Sequence, residues 1–151
     1  MPIASIFQAV EQAKASIENL GVEELAGELE TQGDVLLIDI REIQERVDLG
    51  TIPGSVHVPR GMLEFWADPQ SPYYRDYFRE DRRTVLFCAA GGRSALAARA
   101  LEDMGFSNVA HLEAGFGGWQ QSGRPVEDVR ATSRWVRREP SAPSSTPSSP
   151  E

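Results

Sequence analysis

Cys88 is the only cysteine in this 151-residue chain, and it stands where a thiol can be made reactive. It follows the apolar run Thr84-Val85-Leu86-Phe87 and opens the turn Ala89-Ala90-Gly91-Gly92-Arg93-Ser94. A short apolar run reads as a buried parallel strand, and a chain leaving the C-terminal end of such a strand for a helix turns where ligands bind. The small side chains of Ala89 and Ala90 and the glycines at 91 and 92 let successive backbone N–H groups turn inward around the sulfur. With the positive end of the helix dipole, those groups favour a thiolate and any anion attached to it. A persulfide and a phosphoryl group both meet that description. Arg93, the one formal charge in the loop, is placed to bind an incoming oxyanion. Ser94 is placed to cap the helix. The plain alternative is a cysteine that serves as a small buried hydrophobe, with Arg93 merely solvated. The strand–Cys–Gly-Gly–Arg–helix setting argues against it.

The remaining composition narrows the chemistry. One cysteine excludes an internal disulfide, and there is neither a CxxC pair nor a Cys/His cluster to hold zinc. His57 and His111 lie in separate apolar stretches and are expected to end strands rather than ligate metal. The N-terminus lacks a basic segment followed by an apolar core, so no signal peptide is expected, and no apolar run is long enough to cross a membrane. The expected compartment is the cytoplasm. The net charge is −8, and residues 11–48 account for it with eleven acidic and three basic residues. Such acidity argues against nucleic acid as a partner. It marks solvated helix faces or an acidic docking face for another protein.

The elements that must position Cys88 alternate along the chain. Ile3, Ile6, Phe7, Val10 and Ala13 recur at helical spacing, predicting an amphipathic N-terminal helix that packs on the domain or on a second copy. Strands are expected over 16–20, 35–39, 55–58, 84–87 and 108–111. Helices are expected over 22–30 (ended by Gly33), 42–47, 93–104 (capped by Gly105) and 116–122. The apolar face of the 93–104 helix is read as Leu96, Ala97, Ala100, Leu101 and Met104. Residues 60–80 hold six of the chain's twelve aromatics, and Pro69 and Pro72 break any long helix there. That segment reads as two short helical pieces over a satellite core, or as rings walling the Cys88 pocket. Alternating strands and helices indicate an α/β domain with a mainly parallel sheet. Arg130, Arg134, Arg137 and Arg138 form a mildly basic run before a Pro/Ser-rich end that carries few packing residues.

Four ordered motifs resemble the single-domain rhodaneses. Cys88-Ala89-Ala90-Gly91-Gly92-Arg93-Ser94 is similar to their active-site loop CxxGxRS, and Leu37-Ile38-Asp39-Ile40-Arg41-Glu42 to their L-I-D-V-R-E. Gly50-Thr51-Ile52-Pro53-Gly54-Ser55 resembles G-H-I-P-G-A, with Thr51 in place of histidine. Leu112-Glu113-Ala114-Gly115 through Trp119, Gly123, Pro125 and Val126 resembles L-E-G-G…W…G-x-P-V, with Ala114 in place of glycine. The resemblance covers about residues 16–127. It implies a three-layer α/β/α domain with a five-stranded, mainly parallel sheet; the helix read from periodicity precedes it over 1–15. An extension over 128–151 follows, expected to be disordered from about residue 139. It also implies sulfur transfer through a Cys88 persulfide, with no metal or organic cofactor: the thiolate takes the outer sulfur of thiosulfate, releases sulfite, and passes the sulfur to cyanide or a thiol. Asp39 and Arg41 would brace the loop. From the residues alone they equally form a local turn, with Arg41 paired to Glu45.

Two alternatives stand beside that reading. A cysteine phosphatase or arsenate reductase uses the same strand–loop–helix, but its signature has five residues between Cys and Arg, usually after a histidine. Here there are four, and Phe87 precedes the cysteine. A non-enzymatic module is the second, either a persulfide carrier or a regulatory binding domain. The lack of basic residues at 89 and 90 also predicts weak capture of free thiosulfate and a preference for sulfur delivered by a persulfide-donating protein.

Overall fold

A computed structural model of the chain describes residues 2–130, so Arg134, Arg137, Arg138 and the expected disordered end lie outside the described residues. Five strands form one entirely parallel sheet: β1 (Glu18–Leu20), β2 (Leu36–Asp39), β3 (Val56–His57), β4 (Thr84–Phe87) and β5 (Val109–Leu112), in the order β1-β5-β4-β2-β3. The helices are α1 (Ile6–Ser16), α2 (Val22–Thr31), α3 (Ile43–Leu49), α4 (Leu63–Ala67, after a 3-10 turn at Arg60–Met62), α5 (Gly92–Met104) and α6 (Gly115–Gln121). None among the described residues is long and apolar enough to cross a membrane.

Strand alternation divides the interior into two cores. Leu36, Ile38, Leu86, Cys88 and Val109 face one side with Ala13 and Ile17 from the α1 end and Ala95, Ala97, Ala98 and Leu101 from α5. Leu37, Val85, Phe87, Ala110 and Leu112 face the other, with Leu25 from α2 and Phe116 and Trp119 from α6. The expected satellite core under residues 60–80 is instead part of the first of these. Phe78 is buried there, and Trp66, Tyr74 and Tyr77 pack against it, while Phe65 and Tyr73 stay exposed.

Two other expectations shift. The buried face of α5 is Ser94, Ala95, Ala97, Ala98 and Leu101, and Met104 is exposed, because the first turns of α5 are wedged between the sheet and α1. Only the second half of α1 packs: Val10 and Ala13 reach the core, whereas Ile6 and Phe7 remain exposed. Across the bottom of the sheet, Arg83 ties β1 to α2 by bonding both carboxylates, Glu18 at 2.8 Å and Glu28 at 2.8 Å.

Candidate active site

β4 is the central strand, so the chain leaves its C-terminal end in the middle of the molecule. Cys88 is the next residue, 1% exposed. Its sulfur does not sit in a purely apolar hole. The N–H groups of Gly91 and Ser94 donate to Sγ at 3.2 and 3.3 Å, and the Ser94 hydroxyl lies 3.5 Å away. Burial on its own would push this thiol up. The Ser94 hydroxyl and N–H and the N–H groups of Ala90 and Gly91 outweigh it and hold the thiol below its ordinary value. The expected inward-facing amides are therefore in place, but the sulfur beneath them is covered rather than open.

The loop owes its shape to backbone pressed against backbone. Gly91 adopts φ 96°, and a Cβ there would lie 2.2 Å from the carbonyl oxygen of Glu113. Gly115, at φ 67°, would put a Cβ 2.4 Å from the carbonyl oxygen of Ala89. No other residue type fits either position. From the same side, Phe116 N–H donates to the Cys88 carbonyl at 2.8 Å and Gly117 N–H to that of Ala89 at 3.1 Å. The turn between β5 and α6 is thus the mould for the sulfur loop. Ala114, where glycine was expected, is accommodated because Gly118 stands opposite: a Cβ at 118 would come within 2.3 Å of the Ala114 methyl.

Arg93 does not hold its fork open for an oxyanion. It makes a bidentate ion pair with Glu45 of α3, at 2.7 and 2.9 Å. That pairing, against a smaller opposing effect of burial, holds Glu45 down at about 2. The partner was not apparent in the sequence because 48 residues separate the two. Nor does Ser94 cap α5. The helix starts at Gly92 with Gly91 as its cap, which leaves Ser94 in the first turn with its hydroxyl turned inward to the sulfur and to His111.

Asp39 and Arg41 are both 0% exposed and form a bidentate pair at 2.9 Å, so Arg41 is not the partner of Glu45. Burial is the largest influence on Asp39 and raises it, but the bonds from Arg41 and Thr51 prevail and its carboxyl lies low. Arg46 and Thr51 also bond Asp39 Oδ2, at 3.1 and 2.9 Å, so the threonine in the expected histidine position joins this cluster. The Arg41 guanidinium lies 4.4 Å from the ring centre of Phe116 and 5.7 Å from that of Phe87. Asp39 and Cys88 end their strands on opposite faces of the sheet. The pair therefore touches the rings on either side of the loop anchor and does not reach the sulfur.

His111 is the residue that sequence reasoning missed. It is fully buried on β5, with Nδ1 2.8 Å from the Ser94 hydroxyl and Nε2 2.7 Å from Asn19 Oδ1. Burial first and Lys14 second hold it down at about 4, so the ring is neutral. Among the described residues no group of acidic, histidine or cysteine side chains can hold a metal ion.

Comparison with known proteins matches this geometry. The model of the rhodanese-like domain matches residues 21–122. From Bacillus subtilis, the "Putative sulfur carrier protein YrkF" is 29% identical over 70% of this chain and 52% of its own length. The "Putative sulfurtransferase YtwF" of the same organism is 28% identical over 72% of this chain and 96% of its own. An Arabidopsis thaliana protein named "Dual specificity phosphatase Cdc25" is 33% identical over 65% of this chain and 70% of its own. Among solved structures, RPA3614 of Rhodopseudomonas palustris is 45% identical, with a TM-score of 0.79 over 84% of this chain and 99% of its own. It is described as a "Protein of Unknown Function" and "Possible Tyrosine Phosphatase". The chain spans about half the length of YrkF and of another curated relative.

Proposed function

Since the chain belongs to the rhodanese-like domain family, we propose that it is a sulfurtransferase that carries sulfane sulfur on Cys88. The thiolate attacks the outer sulfur of a donor. The bond from that sulfur to its carrier breaks, and the carrier leaves with the electron pair, as sulfite from thiosulfate or as a thiolate from a persulfide. Cys88 now holds a persulfide whose negative charge has moved to the outer sulfur. An acceptor thiolate or cyanide attacks that atom and regenerates the Cys88 thiolate. The inward N–H groups of Ala90, Gly91 and Ser94 stabilise the anion, and Ala89 and Gly92 supply a small frame around it. Asp39 and Arg41 act at a distance, by fixing Phe87 and Phe116. The cytoplasm, where a lone thiol stays reduced, suits this chemistry.

The observation that carries the reading is the division of labour in the loop. The sulfur takes backbone donors, while the only cation of the loop is committed to Glu45. A phosphoryl dianion needs an arginine fork and a ring of amides wide enough for a tetrahedral group. A single added sulfur needs neither. The same pairing disfavours thiosulfate, a dianion, relative to persulfides delivered by a low-molecular-weight thiol or a protein. Intact-mass measurement after exposure to thiosulfate or glutathione persulfide tests the proposal. A reductant-sensitive gain of one sulfur atom, lost in Cys88→Ser, is expected. Loading without turnover to an acceptor thiol would identify a carrier module instead.

The phosphatase names among the relatives keep a second reading in view. Hydrolysis of an aryl phosphate that depends on Cys88, with no sulfur loading, would replace the first reading with it.

A further inference from the structure

A line of four side chains runs from the sulfur across β5 to the edge strand β1: Cys88, Ser94, His111 and Asn19. Its polarity can be assigned from its far end. The Asn19 side-chain NH2 donates to the carbonyls of Lys14 and Ile17, at 2.9 and 3.2 Å, so its oxygen faces His111. That oxygen can only accept, which places the ring proton of His111 on Nε2. Nδ1 is then a bare acceptor, and the Ser94 hydroxyl lies 2.8 Å from it. Ser94 has one hydroxyl proton. On its other side is the sulfur, 3.5 Å away, which becomes a strong acceptor only when ionised.

We propose that His111 is a positioning residue that sets the ionisation of Cys88 by competing with the sulfur for the Ser94 hydroxyl proton. With a neutral Sγ, the hydroxyl rests on His111 and accepts from the thiol. With a thiolate, the hydroxyl turns to the sulfur, and Nδ1 is left buried and unpaired, at a cost. The histidine therefore restrains the loop amides from holding Cys88 permanently ionised. On the sulfurtransferase reading, it also favours the loaded state. There Sγ is neutral, the charge sits on the outer sulfur, and Ser94 can return to the imidazole. A ring that stays neutral is essential to the competition, and its burial beside Lys14 supplies that.

The charges around the line are few. Lys14 of α1 faces His111 and is 3.9 Å from Glu113. On the sulfur side, Arg93 of α5 is balanced by Glu45 and Glu42 of α3 and its cap. All of them remain in place when His111 is replaced.

The test is the pH dependence of Cys88 alkylation by iodoacetamide, followed by intact mass on the full chain, where no other thiol interferes. His111→Phe is expected to lower the apparent pKa by about one unit, a roughly tenfold gain in thiolate below it. Ser94→Ala should abolish the difference, so that the double variant titrates like Ser94→Ala. A rise in pKa would overturn the proposal, since His111 would then be accepting the thiol proton. No change would overturn it in favour of a packing role. Should His111→Phe not fold, imidazole 15N shifts of the wild-type protein decide. Above the pKa of Cys88, where the sulfur is ionised before alkylation, Nδ1 is expected to be unprotonated both before and after alkylation and to gain a hydrogen bond on alkylation. A protonated Nδ1 facing the thiolate, or shifts that do not move, would refute it. None of these readouts needs a sulfur donor, so failure of sulfur loading leaves them interpretable.

Discussion

Glu45 and Gly91 control the sulfur site from opposite directions, one by charge and the other by backbone shape. Glu45 occupies both branches of the Arg93 fork. Glu45→Gln keeps the size of the side chain and removes its charge, leaving Arg93 available to an anion. The KM for thiosulfate should fall about fivefold with little change in kcat, the equivalent of ~1 kcal/mol for one charge-assisted bond. Steady-state assays with thiosulfate and cyanide check it. Gly91 has no such latitude. Gly91→Ala adds a methyl at a positive φ and against the Glu113 carbonyl, and should destabilise the fold by more than about 2 kcal/mol. Urea unfolding measures the loss. At this scale the cysteine, its glycines and Arg93 were legible because they are contiguous and their types explain one another. The partners that decide what Arg93 and Ser94 do were not: Glu45 and His111 lie 48 and 17 residues away and carry no local pattern.

Among the elements, β2 and α3 are tied together through Asp39. Asp39 ends β2 and receives bonds from the buried Arg41 and Thr51 and from the partly buried Arg46. Asp39→Asn leaves Arg41 buried and uncompensated, and should cost about 3–5 kcal/mol in a urea titration. The strands themselves were readable to within two residues; for β2, β4 and β5 the reason is that a strand covered on both faces is a short apolar run whatever surrounds it. The face of α5 was misplaced for a physical reason. Helical spacing finds one apolar stripe, whereas the start of α5 meets the sheet and α1 together and buries small residues on a wider arc. The aromatic segment before β4 was likewise read as separate, because nothing local reveals that Phe78 enters the same core as Leu86.

For the molecule as a whole, acidity should act through His111 before it acts through the carboxylates. A histidine held at about 4 when folded and 6.5 when exposed leaves the unfolded chain binding the extra proton between those values. Its contribution is complete above pH 6.5 and is withdrawn as the pH falls toward 4, by about 3 kcal/mol in all. Glu45, with a folded value of about 2, adds to the loss from about pH 4.5 downward. Thermal unfolding between pH 7 and 4 should therefore show a steep early decline that His111→Phe flattens, while the decline below pH 4.5 persists. The parallel α/β plan was legible because strands and helices alternate. The two separate cores were legible only once the register of the strands was known.

The cover over Cys88 has a consequence for handling. A thiol lying beneath its own main chain cannot meet the same thiol of another molecule. Air should therefore not crosslink this polypeptide into covalent pairs, and non-reducing electrophoresis of protein kept without reductant should give a single monomer band.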